Sequence, residues 1–294
     1  MKTVLTVDLP NGETIGYRKH GVGKNTLVLV HGNMTSSKHW DVLMESLSED
    51  DYTIYAIDLR GFGKSSYNTP IDSLGDFSDD LKMFVDKLDL KNFVLAGWST
   101  GGGVAMHFSA QHQSYVQKLI LLESVGVKGF TLYKKSIFGK NKLDARVTTK
   151  EELASQVKPI QKAQQKGRKW FMKFIWNSTI YVNNKPSKER YEEYLEDMMT
   201  QRNILDVNWA LLTFNITDES NGLTQGNGLV NKINIPTLVI QGTDDKVVKP
   251  GISQETAAAI GDNAKLIMLD NCGHSPLIDR LDKLVGLFDD FVLE

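Results

Sequence analysis

At 294 residues, 41% hydrophobic, 24% charged and with 7 prolines, the sequence has the composition of a globular protein with one large core or two small ones, which excludes disordered and collagen-like classes. A single cysteine, Cys272, excludes an intramolecular disulfide and fits a reducing compartment. The formal charge of −2 hides a segregation: Val127–Arg202 holds 17 Lys/Arg against 8 Asp/Glu, a balance of +9 that leaves −11 for the rest.

Thr3–Leu9 and Glu13–His20 alternate polar and apolar residues around Pro10-Asn11-Gly12, which predicts an antiparallel hairpin at a sheet edge and not a secretion signal. Further along, Thr26–Val30, Thr53–Ile57, Phe93–Ala96, Leu119–Leu122, Leu238–Ile240 and Leu266–Leu269 are short and apolar on both faces. Such runs predict buried parallel strands and bring the count to eight. Between them lie helical stripes, Phe77-Leu81-Phe84-Leu88 and Leu277-Leu281-Leu284-Phe288-Phe291, the latter opened by Ser275 as N-cap and Pro276 at the first helical position. Strands alternating with helices predict an α/β fold, an eight-stranded, mostly parallel sheet with helices on both faces.

From Glu123 to Ile235 no strand is expected, and the helical patterns Leu153–Ile175, Pro186–Met199 and Ile204–Phe214 follow one another. They read as a helical cap, residues 125–232, inserted into a core of 1–124 and 233–294, with a return linker through Gly222–Gly228. No apolar run is long enough to span a bilayer, so the expected location is the cytoplasm.

Gly97-Trp98-Ser99-Thr100-Gly101 follows the apolar run Phe93–Ala96 and precedes the helical stretch Gly102–Ala110. Strand, sharp turn and helix form the context in which G-x-S-x-G exposes a nucleophilic serine, because only small flanking residues admit the strained turn. A serine hydroxyl needs a base, and the base needs an orienting acid. Asp245, in Gly242–Val248, and His274, in Asn271–Pro276, follow two later strands and emerge at the same carboxyl edge as Ser99.

With these residues in view the chain resembles the α/β-hydrolase superfamily, in particular its capped esterase, lactonase and carbon–carbon hydrolase group, over almost its full length. The resemblance rests on His31-Gly32, Asp58-Leu59-Arg60-Gly61-Phe62-Gly63-Lys64-Ser65, the turn around Ser99, the Gly-x-x-Asp step at Asp245, and Gly273-His274-Ser275-Pro276. It implies Asp245 rather than Asp244 as the acid, with Glu123 as the alternative. It also implies an oxyanion hole from the N–H groups of Thr100 and Asn33, with Met34 the alternative to Asn33, and a role for His31 in ordering that loop. A Ser nucleophile argues against the dehalogenases and epoxide hydrolases of this fold, which use Asp.

The function expected is cleavage of a small to medium, fairly apolar carboxylic ester with no cofactor. A lactonase, carbon–carbon hydrolase or aminopeptidase would use the same triad, and a ligand-binding protein of the same fold is the distant alternative. Trp98, Met34, Trp170, Trp176, Trp209 and Phe214 are candidates for the pocket wall, their ordinary reading being core packing. Gly61–Ser65 is no phosphate loop, because Asp58 stands where its first glycine belongs. His20, His39, His107 and His112 read as core or surface residues, and no histidine pair has metal-ligand spacing. Val127–Lys173 has 13 basic and 3 acidic residues interspersed with Phe130, Tyr133, Phe138, Trp170, Phe171, Phe174 and Ile175. It reads as a solvated surface whose aromatics line the pocket, or as a basic face for anionic membrane or anionic acyl substrates. No nucleic-acid module is present.

Overall fold

The computed structural model describes residues 3–135 and 141–293. Phe138 lies outside the described residues. In chain order the elements are β1 (Leu5–Asp8), β2 (Thr14–His20), β3 (Asn25–Val30), α1 (Asp41–Ser46), β4 (Tyr52–Ile57), α2 (Leu74–Lys87), β5 (Phe93–Trp98), α3 (Thr100–Gln111) and β6 (Val116–Leu122). An inserted stretch follows, with β7 (Tyr133–Lys135), β8 (Asn141–Arg146), α4 (Lys150–Gln165), α5 (Lys169–Thr179), α6 (Lys188–Met198) and α7 (Ile204–Thr213). The chain then completes the sheet with β9 (Thr237–Gly242), α8 (Pro250–Ile260), β10 (Ala264–Leu269), α9 (Pro276–Asp279) and α10 (Leu281–Leu293).

Eight strands form one sheet in the order β1-β2-β4-β3-β5-β6-β9-β10. β2 is antiparallel to β1 and β4, and the remaining pairs are parallel. The eight-stranded, mostly parallel sheet with its edge hairpin is thus the one the sequence predicts. Its central strands are apolar throughout because both faces are covered. On β3, Leu27 and Leu29 join α1 and α10 residues such as Leu43 and Phe288 in one core. Val28 and Val30 face the other way, into a second core with Phe77 of α2 and Val104 of α3. α2 starts where Ser73 and Asp76 close a reciprocal capping box.

Three expectations need correction. β7 and β8 pair antiparallel inside the stretch expected to hold no strand. Tyr133-Lys134-Lys135 and Asn141–Arg146 carry too little apolar alternation to signal strands, so backbone pairing rather than an apolar face defines them. The Leu153–Ile175 pattern is two helices, because Gly167 adopts a left-handed φ of 59° and turns the chain between α4 and α5. The terminal stripe also breaks, at Arg280. Ser275 occupies the N-cap of the short α9 without a side-chain capping bond, its carbonyl instead accepting the N–H groups of Ile278 and Asp279. No described helix is long and apolar enough to cross a membrane.

Candidate active site

Ser99 sits between β5 and α3 at φ 55°, ψ −117°, a conformation costly for any residue with a Cβ. Its N–H donates to the Leu122 carbonyl (2.9 Å), and its own carbonyl accepts from Gly102 and Val125 (3.0 and 3.1 Å). The flanking glycines are required by close approach. A Cβ on Gly97 would stand 2.2 Å from the Gly101 carbonyl oxygen, and one on Gly101 would stand 2.2 Å from that of Val30.

His274 follows β10 and reaches back to the serine. Ser99 Oγ lies 3.0 Å from Nε2, and Asp245 Oδ2 lies 2.7 Å from Nδ1. Nδ1–H therefore donates to the carboxylate and leaves Nε2 to accept from the hydroxyl. Two contacts fix the histidine loop: Trp98 Nε1 donates to the His274 carbonyl (2.9 Å), and the Gly273 N–H donates to Asp279 Oδ2 (2.8 Å).

Of the adjacent aspartates, Asp245 is buried and Asp244 is exposed, accepting from Asn183 at 3.0 Å. Asp245 Oδ1 also accepts the N–H groups of Val247 and Val248 at 2.7 and 2.9 Å. Burial opposes its charge, yet the field and hydrogen bond of His274, with the bonds from its neighbours, hold its carboxyl below the usual range. Glu123, fully buried just after β6, accepts the Gly242 N–H through Oε1 at 2.7 Å, and its carboxyl faces that of Asp245. Burial first, then the charge of Asp245, pushes its carboxyl well up and favours the neutral acid.

Ligand atoms of Glu123, Asp245 and His274 lie within 4.8 Å of one another. That donor set suits a proton network better than a cation. Both imidazole nitrogens already have partners, and burial disfavours the ionised Glu123 carboxylate that a cation would need.

The loop after β3 completes the site. The buried His31 donates from Nδ1 to the Gly32 carbonyl (2.7 Å) and accepts the Leu59 N–H at Nε2 (2.9 Å), while burial keeps its ring in the neutral form. Asp58 accepts from the N–H groups of Ser37 and Lys64 (2.9 and 2.8 Å), so Asp58–Ser65 is a brace for this loop. Among the described residues the N–H groups of Asn33 and Thr100 find no acceptor, and both residues line the cavity in front of Ser99.

That cavity, about 250 Å³, is walled by Met34, Trp98, Val125, Phe130, Ile175, Trp176, Ile180, Leu211, Val247 and Val248, with Thr179 and Asn208 as polar points. Besides His274, no ionisable side chain lines it among the described residues. Three sequence candidates lie elsewhere. Trp170 is exposed, Trp209 packs against Val147, Leu153 and Leu212, and Phe214 is buried beside α3 at Gly103. Ring size singled them out, but helix phase decides. Asn208 and Leu211, three apart, share the cavity-facing side of α7, and Ile175 and Thr179, four apart, share that of α5. Trp176 was the sequence signal that could have set the phase of α5. Val125 and Val248, in loops, carried none.

The profile of the family described as alpha/beta hydrolase fold matches residues 25–281. A 2-hydroxy-6-oxononadienedioate/2-hydroxy-6-oxononatrienedioate hydrolase of Pseudomonas putida is 25% identical over 285 residues, covering 95% of this chain and 91% of that protein. The pimeloyl-(acyl-carrier protein) methyl ester esterase of Nitrosomonas europaea is 25% identical over 275 residues, covering 90% of this chain and 94% of that protein. Among solved structures, an esterase from Exiguobacterium antarcticum superposes with a TM-score of 0.77 at 20% identity, covering 100% of both chains.

Proposed function

This chain belongs to the alpha/beta hydrolase fold family, and on that premise we propose that it is a serine esterase that cleaves neutral carboxylic esters with an apolar acyl or alcohol part. The observation that carries the reading is His274 standing 3.0 Å from the Ser99 hydroxyl and 2.7 Å from Asp245, at the floor of an apolar cavity. Ser99 Oγ attacks the ester carbonyl as its proton passes to His274 Nε2. The N–H groups of Asn33 and Thr100 receive the oxyanion, where losing one donor typically costs about 3 kcal/mol. The imidazolium then returns the proton to the leaving alkoxide, and water hydrolyses the acyl-enzyme by the same steps. Asp245 keeps the imidazole in the tautomer this needs. Residues 125–232 act as the cap and supply about half of the residues that line the cavity.

The cavity chemistry favours the ester reading over the carbon–carbon one. A dioate substrate, as named for the Pseudomonas relative, brings carboxylates into the site, and among the described residues no lysine or arginine lines this cavity to receive them. A methyl ester, as named for the Nitrosomonas relative, brings no charge at the reacting end.

A fluorophosphonate probe tests the nucleophile: labelling of the wild-type chain and none of Ser99→Ala is expected. A panel of p-nitrophenyl esters, with a lactone and an amino-acid anilide beside it, tests the bond. Turnover confined to the lactone or the anilide would overturn the ester assignment, and absent labelling would favour a ligand-binding protein.

A further inference from the structure

α5 has two apolar sides. One buries Met172 and Trp176 and turns Ile175 and Thr179 to the cavity. The other exposes Trp170 and Phe174, one turn apart, at 68% and 67% of their surface. Phe171 braces the indole edge-on, ring centroids 5.7 Å apart. A surface groove of about 380 Å³ runs beside them between α4 and α5, lined by Lys158, Pro159, Lys162, Arg168, Trp170 and Phe171. Adjacent exposed aromatics on one helix are unfavourable in water unless something covers them.

The charges around this patch indicate what does. Lys169 and Lys173, on the flank toward α6, are neutralised by Glu196 (2.7 Å) and Glu192 (3.6 Å). Lys158, Lys162, Lys166 and Arg168 are exposed, and among the described residues none has a carboxylate partner. A pair of aromatic side chains rimmed by unneutralised cations on long apolar stems complements the boundary of an anionic bilayer. There the rings enter the acyl edge while the cations extend to phosphates. We propose that the α4–α5 face docks on anionic phospholipid membrane. Because the opposite side of α5 walls the cavity, docking places that wall at the surface where apolar esters dissolve.

Sedimentation of the full chain with vesicles tests this without turnover. Phosphatidylcholine vesicles containing phosphatidylglycerol should pellet the protein at low salt, with the Trp fluorescence shifting to the blue, and raised salt should release it. Neutralising Lys158, Lys162 and Arg168 to Gln should lower partitioning about fivefold per charge. Trp170→Ala/Phe174→Ala should lower it at least about tenfold and abolish the shift. Both variants change exposed side chains, and an unaltered melting temperature verifies their fold. No pelleting at low salt, equal pelleting with pure phosphatidylcholine, or wild-type binding by the aromatic variant would each overturn the proposal.

Discussion

Gln201 Nε2 donates to Asn33 Oδ1 at 2.8 Å, joining residues 168 positions apart in the chain. The same Asn33 oxygen accepts the Met34 N–H (3.0 Å), and Gln201 is held by Asn203 Oδ1 (3.1 Å), whose amide nitrogen donates to the Arg60 carbonyl (2.7 Å). The segment between α6 and α7 thereby grips the loop that carries Asn33, the residue proposed to supply an oxyanion donor. Gln201→Leu breaks that grip without touching substrate. With about 1 kcal/mol for a lost hydrogen bond, kcat for a neutral ester should fall about fivefold. KM should stay nearly constant, because the donor matters mainly once the oxyanion forms. Steady-state kinetics check this, and a change confined to KM would contradict it.

Glu123 makes a different kind of prediction. Its carboxyl holds a proton more tightly in the folded chain than in the unfolded one, burial being the main cause and Asp245 the second. Below the ordinary glutamate range both states are protonated and the group contributes no slope. As pH rises through that range the unfolded chain ionises first, so stability falls with pH until the raised folded value is reached. Glu123→Gln keeps an acceptor for the Gly242 N–H and removes this slope. Its melting temperature should gain on that of wild type as pH rises from acid toward neutral, with most hydrolase activity retained. A pH-independent difference in thermal melts would show that Glu123 ionises normally. Glu123→Ala removes the slope as well but leaves the Gly242 N–H unpaired, so it should cost about 1–3 kcal/mol in the acid range, where Glu123 is neutral in both states.

Arg60 and Asp80 form a buried two-pronged pair, Nε to Oδ2 at 2.7 Å and Nη2 to Oδ1 at 2.5 Å, with Asn11 also donating to Asp80 at 2.8 Å. Removing Asp80 takes away both short bonds and leaves the buried Arg60 with the more distant Glu13, 3.9 Å away, as its ion-pair partner. Asp80→Ala should destabilise the fold by about 3–5 kcal/mol in urea unfolding, and replacing both residues by Leu should cost far less. A loss under about 1 kcal/mol for the single variant would mean that Glu13 or water takes over the guanidinium.

How far the sequence reaches follows from which interactions are local. The strands of the parallel sheet were legible because burial on both faces leaves unbroken apolar runs, as in Leu27–Val30. The turn at Ser99 was legible because Gly97 and Gly101 are dictated by contacts with backbone that any serine in this conformation must meet. The β7–β8 pairing was not, since polar residues joined by backbone bonds leave no periodic trace. Nor were Gln201 and the cavity-facing sides of α5 and α7, because each depends on what lies opposite across the fold. Trp170 illustrates this: the same ring would suit a pocket wall or an exposed face, and only the packing of Met172 and Trp176 decides which side of α5 turns outward.

If the proposed ester hydrolysis holds, the cavity dimensions should set a chain-length preference. With apolar walls and about 250 Å³ of space, each methylene added to the acyl chain should raise kcat/KM about fourfold, from about 0.8 kcal/mol per buried CH₂, until the space is filled. Leu211 on α7 projects into that space from the inserted stretch, remote from the His274–Asp245 contact. Leu211→Trp should therefore move the optimum of a p-nitrophenyl ester series to shorter chains while kcat for the acetate stays close to wild type. Leu211→Ala should move it the other way, with a stability cost of about 2–5 kcal/mol for the lost packing. If both variants kept the wild-type optimum, the acyl chain would not occupy this cavity, and its walls would instead receive the alcohol part of the ester.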